Sequence, residues 1–371
     1  MDKIHILLLS KEDWTIKYRI PETVILNRVE ETGKFPDQLM DLVILDREIT
    51  KNEQKALWKQ TRGYCLFATE HVPVEEDSVT GCFFTEKMGQ YLYTGDVQEF
   101  LDHEVRNYYP NPYGENFSPS SLTVSPFFKG NVSCDGNFHM LLEGSFGEEF
   151  AQAAYWKHNI PVFAGQAIDL YLEYEKTGSV EIRLKIFKFV NGSIGELDRV
   201  WEFGQEQLAG VICIDNDGEY GPVSASIEAR GEGSLTVISL HDRHSRRGHG
   251  FFLPGGKRLV SDRGEEIFSY FEKGNLKPPL AVYFSGYRAQ EGFEGYYMMR
   301  SFGCPFLLLT DPRSEGGAFY VGDAAFENMI LQEIRKRIEE LGFSEQDVVL
   351  SGASMGTYGS LYYGAKLHPH A

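Results

Sequence analysis

Long apolar runs are missing from this chain of 371 residues. No stretch approaches the roughly 18 apolar residues that cross a bilayer. The opening run Ile4–Leu9 is too short for a secretion signal and no small-residue cleavage site follows it, so it reads as a buried first strand. Cysteine is scarce. The five residues, Cys65, Cys82, Cys134, Cys213 and Cys304, are odd in number and never in CxxC spacing. That excludes a disulfide framework and a zinc knuckle, and it fits a reducing cytoplasm. Positive charge is short as well: 36 Lys and Arg face 54 Asp and Glu, for a net charge of −18. An extended nucleic-acid surface or a polybasic membrane patch is therefore not expected. There is no GxGxxG, no internal repeat and no low-complexity tract. Three N-x-S sequons, at Asn116, Asn131 and Asn191, read as chance matches in a chain without a secretion signal.

What is present is ample core material, 42% hydrophobic and 13% aromatic, in a length that suggests two or three domains. Three textures follow one another. Residues 1–118 alternate short apolar runs (Ile4–Leu9, Leu42–Leu45, Tyr64–Ala68) with helical spacing over Thr50–Arg62 and Asp96–Tyr108, where Thr50 or Asn52 can cap the first helix. This predicts a Rossmann-like or flavodoxin-like α/β layer. Asp46, just after the second of these runs, is either a functional carboxylate at a strand end or a turn residue.

Residues 119–256 switch to period two: Ile168, Leu170, Leu172 and Tyr174 alternate with polar neighbours, and the stretches from Val180, Val223 and Leu235 do the same. An antiparallel β-sandwich is expected. Tyr155, Trp156 and Trp201 could stack on sugars or fill the core. Residues 257–371 return to α/β texture. Strands are predicted at Leu280–Phe284, Phe306–Leu309 and Asp347–Leu350, and helices at Phe293–Phe302 and Ala324–Leu341, with Gly342 as the C-terminal stop. The fold class is thus α/β, with the last region the N-terminal part of an α/β-hydrolase-like domain.

The chemistry concentrates in Gly352-Ala353-Ser354-Met355-Gly356, which follows a strand and opens a helix. That context makes Ser354 a candidate nucleophile at the positive end of a helix dipole. The strand Leu280–Phe284 runs into Ser285-Gly286-Tyr287-Arg288. The N–H of Gly286 or Tyr287, with that of Met355, could form an oxyanion hole, and such donors contribute a few kcal/mol each (order of magnitude). The strands at 280, 306 and 347 would be the third, fourth and fifth of the sheet. A base is less legible. Only 17 residues follow Ser354; they include His368 and His370 but no carboxylate, and both histidines fall at or past the far end of the serine's own helix.

A third feature is His241-Asp242-Arg243-His244-Ser245-Arg246-Arg247-Gly248-His249-Gly250, followed by Phe251–Leu253 and Gly255-Gly256-Lys257-Arg258. Arg243, Arg246 and Arg247 could bind an anionic group of a donor or substrate. Equally, they could pair with acids inside a linker. His244 and His249 lack the company of a zinc site.

The chain resembles the family of the second accessory Sec system protein of Gram-positive cocci. The resemblance rests on Asp13-Trp14, Gly255-Gly256-Lys257-Arg258, Phe284-Ser285-Gly286-Tyr287 and, most specifically, Gly352-Ala353-Ser354-Met355-Gly356-Thr357-Tyr358-Gly359. It extends over the whole chain, with the family's C-terminal portion missing. It implies a cytoplasmic protein, including at the inner membrane face, that O-acetylates N-acetylglucosamine on a serine-rich repeat adhesin and supports its export. Its implied partners are that glycoprotein, the other accessory Sec proteins and their motor ATPase. By the same resemblance Ser354 carries the acetyl group. No bound cofactor is implied, and the acetyl donor stays open. The family's catalytic acid and histidine have no counterpart here. A non-catalytic scaffold and a free-standing serine esterase are the other readings that the residues allow.

Overall fold

Four of the six residues of the first strand, Ile6 to Leu9, are completely buried, which requires packing on both faces of a sheet. The computed structural model describes residues 3–371 except 32–34, 37, 39, 76, 109–113, 194, 217, 249–255, 289–290 and 315–316, and of residue 59 only the backbone. By their contacts the residues form two units. One comprises Met1–Pro112, Gly165–Ala167 and His244–Gly256; the other comprises Tyr113–Ala164, Ile168–Arg243 and Lys257–Ala371.

The first unit is built on a five-stranded parallel sheet of β1 (Ile4–Leu9), β2 (Val24–Val29), β3 (Leu42–Leu45), β4 (Leu66–Ala68) and β5 (Gln90–Tyr91), in the order β2-β1-β3-β4-β5. Alternate residues feed two cores. Ile6, Leu8, Leu42 and Ile44 pack on one face, while Leu7, Leu9, Val43 and Leu45 pack on the other. The helix Lys51–Gln60 starts where the sequence placed it, because Thr50 and Glu53 form a reciprocal capping box. The expected helix over 96–108 is helical throughout but changes type, from α at Val97–Glu99 to π at Phe100–Glu104 and 3₁₀ at Val105–Tyr108. Buried Phe100, Leu101, Val105 and Tyr108 all enter one core. Periodicity alone does not reveal such a change of winding.

The second unit holds two sheets. One is a ten-stranded, largely antiparallel network of β6 (Gly114–Phe117), β7 (Leu122–Val124), β8 (Asn131–Asp135), β9 (His139–Trp156), β10 (Ile160–Val162), β11 (Ala167–Lys176), β12 (Glu181–Phe189), β13 (Leu197–Gly204), β14 (Ile212–Asp215) and β15 (Gly221–His244). The stretches from Val223 and Leu235, which the sequence suggested as separate strands, are one continuous strand. β15 runs for 24 residues and pairs with β9 through register shifts around Ala229–Glu232. A bulge bends a strand without ending it, so the turn-like glycines there do not break the ladder. Trp156 is buried in the core of this network and Trp201 packs against it, which makes Trp156 a core residue and not a sugar platform.

The other sheet contains β16 (Gly256–Val260), β17 (Glu266–Glu272), β18 (Leu280–Phe284), β19 (Phe306–Thr310) and β20 (Val348–Gly352), in the order β16-β17-β19-β18-β20. β18 lies parallel to both β19 and β20, while β17 is antiparallel to β19. The 18-residue helix Ala324–Leu341 matches its sequence bounds. Asp323 caps its start, and Gly342 ends it at φ 67°. Its apolar stripe of Phe326, Ile330, Ile334 and Ile338 joins Leu280, Val282 and Phe284 in one core. The helix expected over 293–302 is shorter, Tyr296–Ser301. No helix among the described residues is long and apolar enough to cross a membrane.

Candidate active site

β20 and the helix Met355–Leu367 meet at Ser354, whose backbone stands at φ 49° and ψ −119°. This conformation favours glycine, and holding a serine in it costs on the order of 1–3 kcal/mol. The flanking glycines make the turn sterically feasible. A Cβ on Gly352 would approach the Gly356 carbonyl oxygen to 2.2 Å, and one on Gly356 would reach the Phe284 carbonyl oxygen at 1.9 Å. Helix and strand ends are thus too close for any side chain. Ser354 itself is exposed, and its side chain makes no cap bond to the helix that follows. Ser354 thus stands at the helix N-terminus, where the dipole favours developing negative charge, although the Gly356 and Thr357 N–H groups are already donated to the Ala353 and Ser354 carbonyl oxygens.

β18, adjacent to β20, delivers the second wall. Tyr320 fixes it from below: its hydroxyl donates to the carbonyl oxygens of Ser285 at 2.7 Å and Leu309 at 3.1 Å. Its N–H in turn donates to buried Asp311 at 2.9 Å. Asp311 is paired with Arg313 at 2.9 Å. Gly286 comes next to the serine, since a Cβ on it would stand 3.5 Å from Ser354 Cβ. Its N–H is engaged, donating to the Glu294 carboxylate at 2.7 Å. Tyr287 follows, 39% exposed. The structure thus brings Gly286 beside Ser354 and Met355, with Tyr287 the next residue along the chain.

It moves the arginines elsewhere. Arg243 is buried and spends its guanidinium on Glu291 at 2.6 Å and on Glu266 at 2.9 and 2.5 Å. Its position in β15 points it into an ion cluster, which replaces the expected role in binding an anionic ligand. His241 joins the cluster through Nδ1 to Glu291, and Arg258 joins through Glu266. Burial alone would lower the His241 pKa, but the Glu291 and Glu173 carboxylates outweigh it and carry it up to about 10. Burial would likewise raise Glu266, yet Arg243, His241 and Arg258 hold it down at about 2. Arg246, in the other unit, is buried under Tyr108 and donates to the Tyr64 carbonyl oxygen at 3.3 Å. It too is a packing residue. Arg247 is half-buried at φ 49°, with its N–H on Ser245 Oγ at 2.9 Å. His249, Phe251–Leu253 and Gly255 lie outside the described residues.

Glu173, His241 and Glu266 place donor atoms within 4.8 Å of one another, and Glu173 Oε1 and Oε2 and His241 Nε2 lack hydrogen bonds. Glu173, Glu266 and Glu291 face Arg243, Arg258 and His241, whose Nε2 lies 3.4 Å from the Glu173 carboxylate. In the first unit Asp46 is held from four sides. Ser10 Oγ and Thr69 Oγ1 donate to it at 2.6 Å each, His71 Nδ1 lies at 3.1 Å and Trp14 Nε1 at 3.4 Å. It ties together the ends of β1, β3 and β4.

Neither histidine after the serine reaches it. His368 caps the far end of the helix, and the His370 N–H pairs with Val348 at the opposite end of β20. Two residues that the sequence reading missed are Glu294, on the N–H of the oxyanion-hole candidate Gly286, and Glu291, which pairs with His241 and Arg243. Their only sequence signal is an acidic pair within ten residues of Ser285-Gly286.

Residues 2–371 match the model of the family described as accessory Sec system GspB-transporter. The chain belongs to this family. The accessory Sec system protein Asp2 of Streptococcus gordonii is 35% identical over all of this chain and 74% of its own length. The protein of the same name from Staphylococcus aureus (strain NCTC 8325 / PS 47) is 40% identical over 70% of this chain and 50% of its own. Among solved structures, a chain of the glycosylation associate protein (Gap123) complex from Streptococcus agalactiae superposes with a TM-score of 0.82 at 33% identity. That match covers 99% of this chain and 74% of the other. The accessory Sec family is thus represented here by about three quarters of the Streptococcus gordonii length.

Proposed function

We propose that this accessory Sec protein is a serine acyltransferase that O-acetylates N-acetylglucosamine on an exported serine-rich repeat glycoprotein. The observation that carries the reading is the exposed, strained Ser354 between a parallel strand and a helix N-terminus. In this reading Ser354 Oγ attacks the acetyl carbonyl of a donor. Its proton goes to a base, and the oxyanion collects at the Met355 N–H together with that of Gly286 or Tyr287. The intermediate collapses with departure of the donor's leaving group, which takes the proton from the base. A sugar hydroxyl then gives its proton to the base and attacks the acetyl-serine, and Ser354 Oγ leaves and is reprotonated by the base. We place the base and its acid partner in the part of the relatives' length that the match does not cover.

The strand counted third in sequence lies between the fourth and the fifth, which supports an α/β-hydrolase-like assignment for residues 257–371. The order β2-β1-β3-β4-β5 supports a flavodoxin-like reading of residues 1–118. We keep residues 119–256 as the middle, antiparallel domain. Assembly with companion accessory Sec proteins belongs to the same proposal, supported by the solved relative being part of a complex. So do action with the pathway's motor ATPase and a cytoplasmic location, including the inner membrane face.

The test is mass spectrometry of adhesin glycans from cells carrying the full-length protein, wild type against Ser354→Ala. Loss of acetyl groups with export retained supports the acyltransferase. Unchanged acetylation sinks it and leaves an export scaffold.

A further inference from the structure

The oxyanion side of the candidate site is already occupied by the protein itself. Gly286 N–H donates to Glu294 Oε2 at 2.7 Å. A Cβ on Gly286 would stand 3.2 Å from that oxygen and 3.5 Å from Ser354 Cβ, so carboxylate and serine border the same small space. The Glu294 backbone is held as well: its N–H donates to buried Ser285 Oγ at 3.2 Å, and Thr310 Oγ1 donates to the same oxygen at 2.9 Å. Glu291, three residues earlier, is locked by His241 and Arg243. The carboxylate is presented by an anchored loop.

An ionised carboxylate resembles the oxyanion of a tetrahedral intermediate in charge and in accepting from N–H groups. We infer that Glu294 is the specificity-determining residue of this site. At rest its carboxylate takes the oxyanion position at Gly286, and an acyl group reaches Ser354 only when its carbonyl oxygen displaces it. The inference rests on the reading of Ser354 as nucleophile. It also names the ligand class. Because its anchored backbone keeps the displaced carboxylate beside the entering acyl group, a neutral acyl such as acetyl is accepted. An acyl group bearing its own carboxylate is repelled, and so is free acetate.

The experiment uses the full-length protein and a neutral fluorophosphonate, which phosphonylates the serine with loss of fluoride. Labelling of Ser354 is timed in wild type, Glu294→Gln and Glu294→Ala, with Ser354→Ala as the blank. The Gln variant keeps shape and carries the test if the Ala variant does not fold. Removing the charge should speed labelling about tenfold, as expected if the resting carboxylate leaves the hole open about a tenth of the time. Added acetate should then slow Glu294→Ala, by filling the vacated position, while wild type stays insensitive. Equal rates in wild type and variants, or acetate acting alike on both, overturn the role of Glu294. Absence of label on Ser354 in every form overturns the nucleophile itself.

Discussion

Two carboxyl edges of parallel strands in this protein use their polar groups in opposite ways. At the first, Ser10, Thr69, His71 and Trp14 all turn inward on Asp46, and the edge closes on itself. At the second, Ser354 is exposed at a strained φ of 49°, and Gly286 beside it donates its N–H to Glu294. Position at a switch point in an open α/β sheet is common to many ligand sites. A reactive edge also needs a group kept out of the local hydrogen-bonding network, and at the second edge Ser354 is exposed and makes no cap bond to its helix.

The comparison can be broken most strongly through the ion cluster next to the second edge. Glu266→Ala leaves Arg243 and Arg258 without their shared carboxylate, and should cost about 3–5 kcal/mol of stability in urea unfolding. A loss below about 1 kcal/mol, the level of an exposed pair, would mean that the cluster is solvated.

The same cluster predicts a pH profile. His241 has a folded pKa of about 10 against an ordinary 6.5, so its contribution is complete below about pH 6.5 and disappears as pH rises through 10. Glu266, at about 2 against 4.5, contributes fully above about pH 4.5 and loses its part as pH falls through 2. Unfolding midpoints measured across this range should therefore fall on both sides of a plateau at pH 4.5–6.5. His241→Gln should flatten the alkaline side, and an unchanged alkaline limb in that variant would exclude the imidazolium.

Gly356→Ala forces a methyl against the Phe284 carbonyl oxygen, and should cost about 3 kcal/mol, near the upper end of overpacking. It should abolish labelling of Ser354. Asp46→Ala strips the first edge of its shared acceptor at about 1–3 kcal/mol. Labelling of Ser354 should stay at the wild-type rate, and a parallel loss would show that the two edges are not independent. Smallest is Ser354→Gly, which relaxes the backbone and should gain about 1 kcal/mol. A destabilised glycine variant would show that the turn is not strained.

Much of this was legible in the chain, for local reasons. The capping box at Thr50 and Glu53, the helix Ala324–Leu341 with its terminal glycine, and the strand–turn–helix around Ser354 each depend on residues within one or two turns of one another. Period two disclosed the antiparallel middle but not the continuity of β15, because bulges and turns draw on the same glycines. The π-helical winding at Phe100–Glu104 left no trace in the spacing either.

By itself, then, the sequence determined the mixed α/β character, the alternating cores and the presence of a serine elbow, since periodicity and turn chemistry act over a few residues. Only the tertiary structure decided what the charged groups do. Arg243 meets Glu291 across 48 positions and Glu266 across 23, and Glu294 turns back onto Gly286. A long charged side chain can reach many partners, and the fold, by burying it, leaves it only those that arrive at the same place.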